Sequence, residues 1–202
     1  MKNAKEIGYI HLKNGQYLIF SHYSYFYYNF LDINLNYIFN DWIWIDCGKG
    51  DGYYGIHQII EISNSRIISC LYTLDRTVVH CFSGYYASYT FTFQYGMATV
   101  FNGCSTRTGI DSLSFSKWTD DTGIVGCGTN SYQFVILNYD LTFASDKLTI
   151  SDSLYAFIDF TVLDINKAYF ILAAFNSNYN YAYYGDIFSF PYCRDKIITL
   201  HP

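Results

Sequence analysis

Histidines, cysteines and clustered carboxylates are the side chains with which this chain could hold a metal or attack a bond. Their spacing fits neither task. The five histidines, at 11, 22, 57, 80 and 201, make no i, i+4 pair on a helix and share no zinc spacing with a cysteine. His11 and His22 flank a first hairpin, where hydrogen-bonded imidazoles are the expected state rather than a metal pair. The six cysteines, at 47, 70, 81, 104, 127 and 193, contain no Cys-x-x-Cys. Gly103-Cys104-Ser105-Thr106 offers a thiol, but no neighbour in sequence would lower its pKa. No Gly-x-Ser-x-Gly elbow is present. Asp46-Cys47-Gly48-Lys49-Gly50-Asp51-Gly52 has the look of a calcium loop. Its third and fifth positions are Gly48 and Gly50, however, and its twelfth is His57, so the oxygen ligands are missing. Asp120-Asp121 falls in a turn, where aspartate is favoured for backbone reasons. These residues predict no catalytic group, no metal and no cofactor.

Two segments carry chemistry of another kind. Trp42-Ile43-Trp44-Ile45 alternates, so one strand face presents Trp42 and Trp44 together. Asn176 to Tyr184 interleaves asparagine with Tyr179, Tyr181, Tyr183 and Tyr184. Tyrosine and tryptophan bring large contact area at small entropic cost, so both segments are candidate surfaces for gripping a protein or stacking on a sugar.

The elements that must position these residues are strands. Of 202 residues, 51% are hydrophobic, 21% aromatic and only 14% charged; there are 23 Tyr, 17 Phe and two Pro. Tyrosine and phenylalanine fit the pleated, half-buried surface of a sheet. Apolar runs of four to eight residues alternate with turn residues throughout, and no helical period is sustained. A net charge of −5 without a Lys/Arg cluster is unsuited to gripping phosphates, which speaks against a nucleic-acid partner. No window has 18 consecutive apolar residues, so no membrane-spanning helix is expected. Met1 to Glu6 lacks an apolar leader core, and no Asn-x-Ser/Thr sequon occurs. With the cysteine pattern, this predicts reduced thiols in an intracellular, cytoplasmic setting.

The strands recur in four units. Each opens with a strand, a short polar turn and a dense apolar strand ending in small residues. These openings are Ile7–Leu12 with Tyr17–Ser21, Ile56–Ile62 with Arg66–Cys70, Ile110–Ser116 with Ile124–Cys127, and Phe157–Leu163 with Phe170–Ala174. Ser21, Cys70, Cys127 and Ala174 form one column, separated by 49, 57 and 47 residues. Third strands follow at Tyr25–Asp32, Arg76–Phe82, Gln133–Asp140 and Tyr183–Phe190. Fourth strands follow, among them Leu35–Asn40, Lys147–Ile150 and Lys196–Leu200. Four strands per unit of about 50 residues is the arithmetic of a β-propeller blade. The chain is therefore read as one all-β repeat domain over 1–202, with blades near 6–45, 55–95, 109–150 and 156–202. A β-sandwich is the main alternative; a trefoil would need three repeats, and an outer-membrane barrel long regular alternation. The column predicts that Cys70 and Cys127 are buried free thiols.

The second unit resembles a WD-repeat blade. Arg66-Ile67-Ile68-Ser69-Cys70-Leu71-Tyr72-Thr73-Leu74-Asp75-Arg76-Thr77-Val78-Val79 is similar to that family's second-to-third strand hairpin, and Gly55-Ile56-His57 sits where the family has Gly-His. The resemblance implies a hydrogen-bond network of His57, Ser69 and Asp75 inside the blade. Ile56 separates the Gly from the His, and no Trp-Asp pair closes any unit.

These readings predict a non-enzymatic protein-interaction scaffold, a subunit of a larger assembly. The second reading is a carbohydrate-binding or viral surface module, and the third a hydrolase built from aspartates at a central channel. Both end units are rich in aromatics and neither has a polar cap, so a protein partner or self-association is expected to cover them.

Overall fold

Short turns with a repeated hydrogen-bond pattern cut this chain into strands. The computed structural model describes residues 6–22, 26–43, 53–63, 65–73, 78–103, 113–128, 131–151, 155–164, 169–176 and 184–189. Among them there is no helix. Fifteen strands are described: β1 (Glu6–His11), β2 (Tyr17–His22), β3 (Phe26–Leu31), β4 (Tyr37–Ile43), β5 (Tyr53–Glu61), β6 (Arg66–Thr73), β7 (Val78–Ala87), β8 (Thr90–Asn102), β9 (Leu113–Lys117), β10 (Thr122–Gly128), β11 (Ser131–Asn138), β12 (Leu148–Ser151), β13 (Tyr155–Asp164), β14 (Tyr169–Asn176) and β15 (Tyr184–Ser189). They form four antiparallel sheets. Sheet 1 runs β1-β2-β3-β4, sheet 2 β5-β6-β7-β8, sheet 3 β9-β10-β11-β12 and sheet 4 β13-β14-β15, each strand beside its neighbour in sequence. Lys196–Leu200, the expected last strand, lies outside the described residues.

Five connections close alike. In each, an amide donates to the carbonyl four residues further on: Leu12 to Gln16 (2.7 Å), Asp32 to Asn36 (2.9 Å), Ile62 to Arg66 (3.0 Å), Trp118 to Thr122 (3.0 Å) and Asn138 to Thr142 (2.9 Å). In four of them the residue just before the closing one is left-handed: Gly15 (φ 85°), Leu35 (φ 65°), Ser65 (φ 63°) and Leu141 (φ 67°). This is a type I turn with a following bulge, and glycine occupies its costly position only once. Between β7 and β8 the chain reverses on two left-handed residues, Ser88 and Tyr89 (φ 48° and 69°).

Ser21, Cys70, Cys127 and Ala174 each lie on the second strand of their sheet. Ser21 is flanked by Ile7 and Tyr27, Cys70 by Gln58 and Cys81, Cys127 by Leu113 and Gln133, and Ala174 by Phe157 and Tyr184. The free-thiol expectation does not hold. Cys70 and Cys81 stand directly opposite on β6 and β7, with Cα atoms 4.1 Å apart, and are joined in a disulfide. Cys127 is disulfide-bonded as well. Side-by-side antiparallel residues come within disulfide reach, a proximity invisible until register is known. The register also separates the two histidines of the first hairpin: His11 pairs with Tyr17 at the turn end and His22 with Glu6 at the open end.

The chain divides into two compact units, Met1–Gly103 with Tyr139–Leu141, and Cys104–Asn138 with Thr142–Pro202. In the first, sheets 1 and 2 share an apolar core of Leu12, Leu18, Phe20, Tyr28 and Phe30 against Ile59, Ile67, Leu71, Phe82, Tyr86 and Phe91. Phe20 meets Phe91 edge-on at 5.1 Å between centroids, and Phe82 lies 4.8 Å from Phe93. Each such burial contributes about 1.5–3 kcal/mol. The two sheets differ on their other faces. From Tyr17 to Phe20 on β2 buried residues alternate with half-buried ones, whereas Ile67 to Tyr72 on β6 is buried on both sides. In the second unit, β13 runs beside β9. Gly123 to Gly128 on β10 is buried throughout.

Candidate functional site

Leu18, Phe20, Tyr28 and Phe30 point into the core, so the alternate residues of sheet 1 form its outer face. The ladder arranges them in rows. Ser21, Tyr27 and Trp42 form one; Tyr9, Ile19, Asn29 and Asn40 the next; His11, Tyr17, Leu31 and Tyr37 the third, where Ile38 is an extra residue in β4. None of these eleven is Asp, Glu, Lys or Arg. Tyr9 is 71% exposed, Tyr37 58% and Trp42 55%, and Tyr27 is exposed beside Trp42. His11 leans on Tyr17 with ring centroids 4.7 Å apart. At the centre Asn29 is buried, although it belongs to the outward set. The result is an open sheet face of aromatic rings, hydroxyls and amides without a formal charge.

A second polar cluster lies at the rim of the same unit. Glu61, at the end of β5, is buried, and both carboxylate oxygens are occupied. Tyr86 Oη donates to Oε1 (2.7 Å) and the Lys13 amide donates to Oε2 (2.7 Å). Lys13 Nζ donates to the Ile62 carbonyl at 3.0 Å. Burial and the Glu61 hydrogen bond push the Tyr86 phenol up to about 12. This cluster ties the β1–β2 turn to sheet 2. It holds no open position for a reacting group, so its chemistry is structural.

A third group gathers around Tyr139. Its hydroxyl donates to Gln94 Oε1 (3.0 Å), Ser83 Oγ donates to its carbonyl (2.6 Å), the Arg66 guanidinium lies 4.9 Å above its ring, and Tyr95 meets it edge-on at 5.7 Å. Burial raises the Tyr139 phenol above its ordinary value. His80 is half-buried on β7 with Thr99 Oγ1 3.2 Å from Nδ1, and desolvation lowers its pKa.

Of the residues singled out in the sequence, Trp42 lies on the outer face of sheet 1, across the ladder from Tyr27. Trp44, Tyr179, Tyr181, Tyr183, Asp75, His201, the 46–52 glycine loop and the 104–106 segment lie outside the described residues. Tyr184 opens β15 opposite Ala174. His57 is on β5 at the second of two register shifts, the extra residue between the paired Ile56 and Gln58. Ser69 is buried and its hydroxyl donates to the Gln58 carbonyl at 3.2 Å. Asp120 is in a turn, as expected, ion-paired with Lys117. Among the described residues no three His, Cys, Asp or Glu side chains gather as metal ligands, and no helix is long and apolar enough to cross a membrane. The sequence reading missed Tyr9, Tyr27 and Tyr37. The alternation Tyr9/His11 and Tyr17/Ile19 was the available signal, hidden by the abundance of tyrosine everywhere. Compared with known proteins, the chain matches no family model and no curated protein.

Proposed function

We propose that this chain is a non-enzymatic binding module, a propeller-like array of four-stranded blades that takes a protein partner on the outer face of sheet 1. The observation that carries the reading is the exposure of Tyr9, Tyr37 and Trp42 on one face of a sheet whose other face is packed with rings. Contiguous exposed aromatic patches mark interfaces, and Tyr and Trp dominate their energetics. The array is supported over a two-layer sandwich by β6, which is buried on both sides; a two-layer sandwich leaves one side of each sheet to water. In this reading sheet 2 is the WD-like blade, with His57, Ser69 and Asp75 as its internal network, and the partner, or a second copy, covers an end blade.

The setting of the exposed Asn40 among uncharged rings favours one other ligand, a neutral glycan stacked on the tyrosines. The test is the triple variant Tyr9→Ser, Tyr37→Ser, Trp42→Ser, compared with wild type by native mass spectrometry of the affinity-purified protein and by glycan array. Loss of a co-purifying protein with unchanged Tm supports the proposal. Glycan binding that the variant loses supports the second reading instead, and a variant that keeps its protein partner overturns the assignment of this face.

A further inference from the structure

We infer that this chain is a client of a disulfide-donating oxidoreductase and completes its fold in an oxidising compartment, in place of the reducing one that the sequence predicts. Cys70 and Cys81 face each other in the middle of sheet 2, the centres of β6 and β7, and neither exposes any surface. Ile68 and Tyr72 on one strand, and Val79 and Ser83 on the other, stand on the same side of the sheet and are also buried. No external thiolate can reach the bond once this side is covered. Thiol–disulfide exchange needs access to the sulfur, so the bond forms before the sheet is buried and then persists.

A buried cysteine pair could also pack as two small apolar side chains. Cys127 argues against that here. It too is wholly buried, in another sheet, and it is oxidised. Every cysteine whose side chain is described is in a disulfide, the pattern of a chain matured where disulfides are made.

The chemistry balances through two exchanges. One cysteine thiolate attacks the disulfide of the oxidoreductase, forming a mixed disulfide and releasing one enzyme sulfur as thiolate. The second cysteine thiolate then attacks the mixed disulfide and releases the other. Two thiol protons go to solvent and two electrons to the oxidoreductase.

The experiment expresses the full chain once through an oxidising secretory route and once in a reducing cytosol. Each product is alkylated under denaturing conditions without reductant, digested and mapped by mass, and its Tm is recorded. The expected result is a peptide joining Cys70 to Cys81 from the oxidising route, and a lower Tm or a lower soluble yield from the reducing one. If the cytosolic product is soluble with both cysteines alkylated and the same Tm, the inference is wrong. Cys70 and Cys81 recovered as free, alkylated thiols from the oxidising route overturn it equally. A Cys70→Ala, Cys81→Ala variant as stable as the oxidised wild type would show that the bond does not hold the fold.

Discussion

Glu61 shows how one side chain can join two elements. Both its oxygens are used in a buried place, so Glu61→Ala leaves the Tyr86 hydroxyl and the Lys13 amide without their acceptors. A buried unsatisfied donor costs about 1–3 kcal/mol, and the expected loss in a denaturant titration is about 2–3 kcal/mol. Glu61→Gln keeps an acceptor and should lose less. Leu35 and Gly15 occupy the same place in two like turns, both left-handed. A side chain there costs about 1–2 kcal/mol, of which glycine returns part through its freer unfolded chain. Leu35→Gly should therefore raise stability by about 0.5 kcal/mol, and Gly15→Ala should lower it by about 1 kcal/mol. His80 is held below its ordinary pKa by desolvation. The unfolded chain binds the proton first, so acidification through and below about pH 6.5 drains stability down to the lower folded-state pKa, and none is drained above that window. His80→Gln should flatten the fall in Tm between neutral and mildly acid pH. An unchanged slope would mean that His80 is not the group responsible.

At the level of the element, most of the strand map was legible. Asn14-Gly15 marks a turn through residue types that favour left-handed backbone, and the apolar runs on either side are β2 and its partner. The small-residue column, Ser21, Cys70, Cys127 and Ala174, falls on the second strand of each sheet. Ser65 closes a turn that its sequence marks, whereas Leu35 and Leu141 turn the chain without a turn-forming residue at the strained position, so those two positions carry no signal. Nor was β8 legible: it pairs with β7 through three register shifts that place extra residues in the edge strand. Such bulges spoil the edge for pairing with another chain. Gly126 belongs to this scale as well. It pairs with Phe134, and a Cβ there would stand 2.5 Å from Tyr132 Cε1 and 2.9 Å from Phe134 Cδ1. Glycine lets the two rings lie over β10, so Gly126→Ala should cost about 1–3 kcal/mol in thermal or chemical unfolding. A neutral result would mean that the rings can swing away. The Cys70–Cys81 bond was illegible for a third reason. A separation of 11 residues becomes contact only through the β6–β7 register.

On the scale of the whole molecule, the described residues form four sequential antiparallel meanders in two units, and no three of their His, Cys, Asp or Glu side chains gather as metal ligands. Many of the described polar groups serve turns, the Glu61 cluster and the surroundings of Tyr139. The outer face of sheet 1 exposes Tyr9, Tyr27, Tyr37 and Trp42. Trp42 was legible as one of those rings because tryptophan is rare here, whereas Tyr9 and Tyr37 were lost among 23 tyrosines until register put them on one face. Hydroxyl-radical footprinting shows whether this face of sheet 1 is the contact. The protein is labelled once in its native assembly and once as the isolated chain, and oxidation is read residue by residue. The account predicts that Tyr9, Tyr37 and Trp42 are strongly protected in the assembly and reactive in the isolated chain, while Tyr85, exposed on sheet 2, reacts equally in both. Equal reactivity of Tyr9, Tyr37 and Trp42 in the two samples, with protection elsewhere, would contradict it.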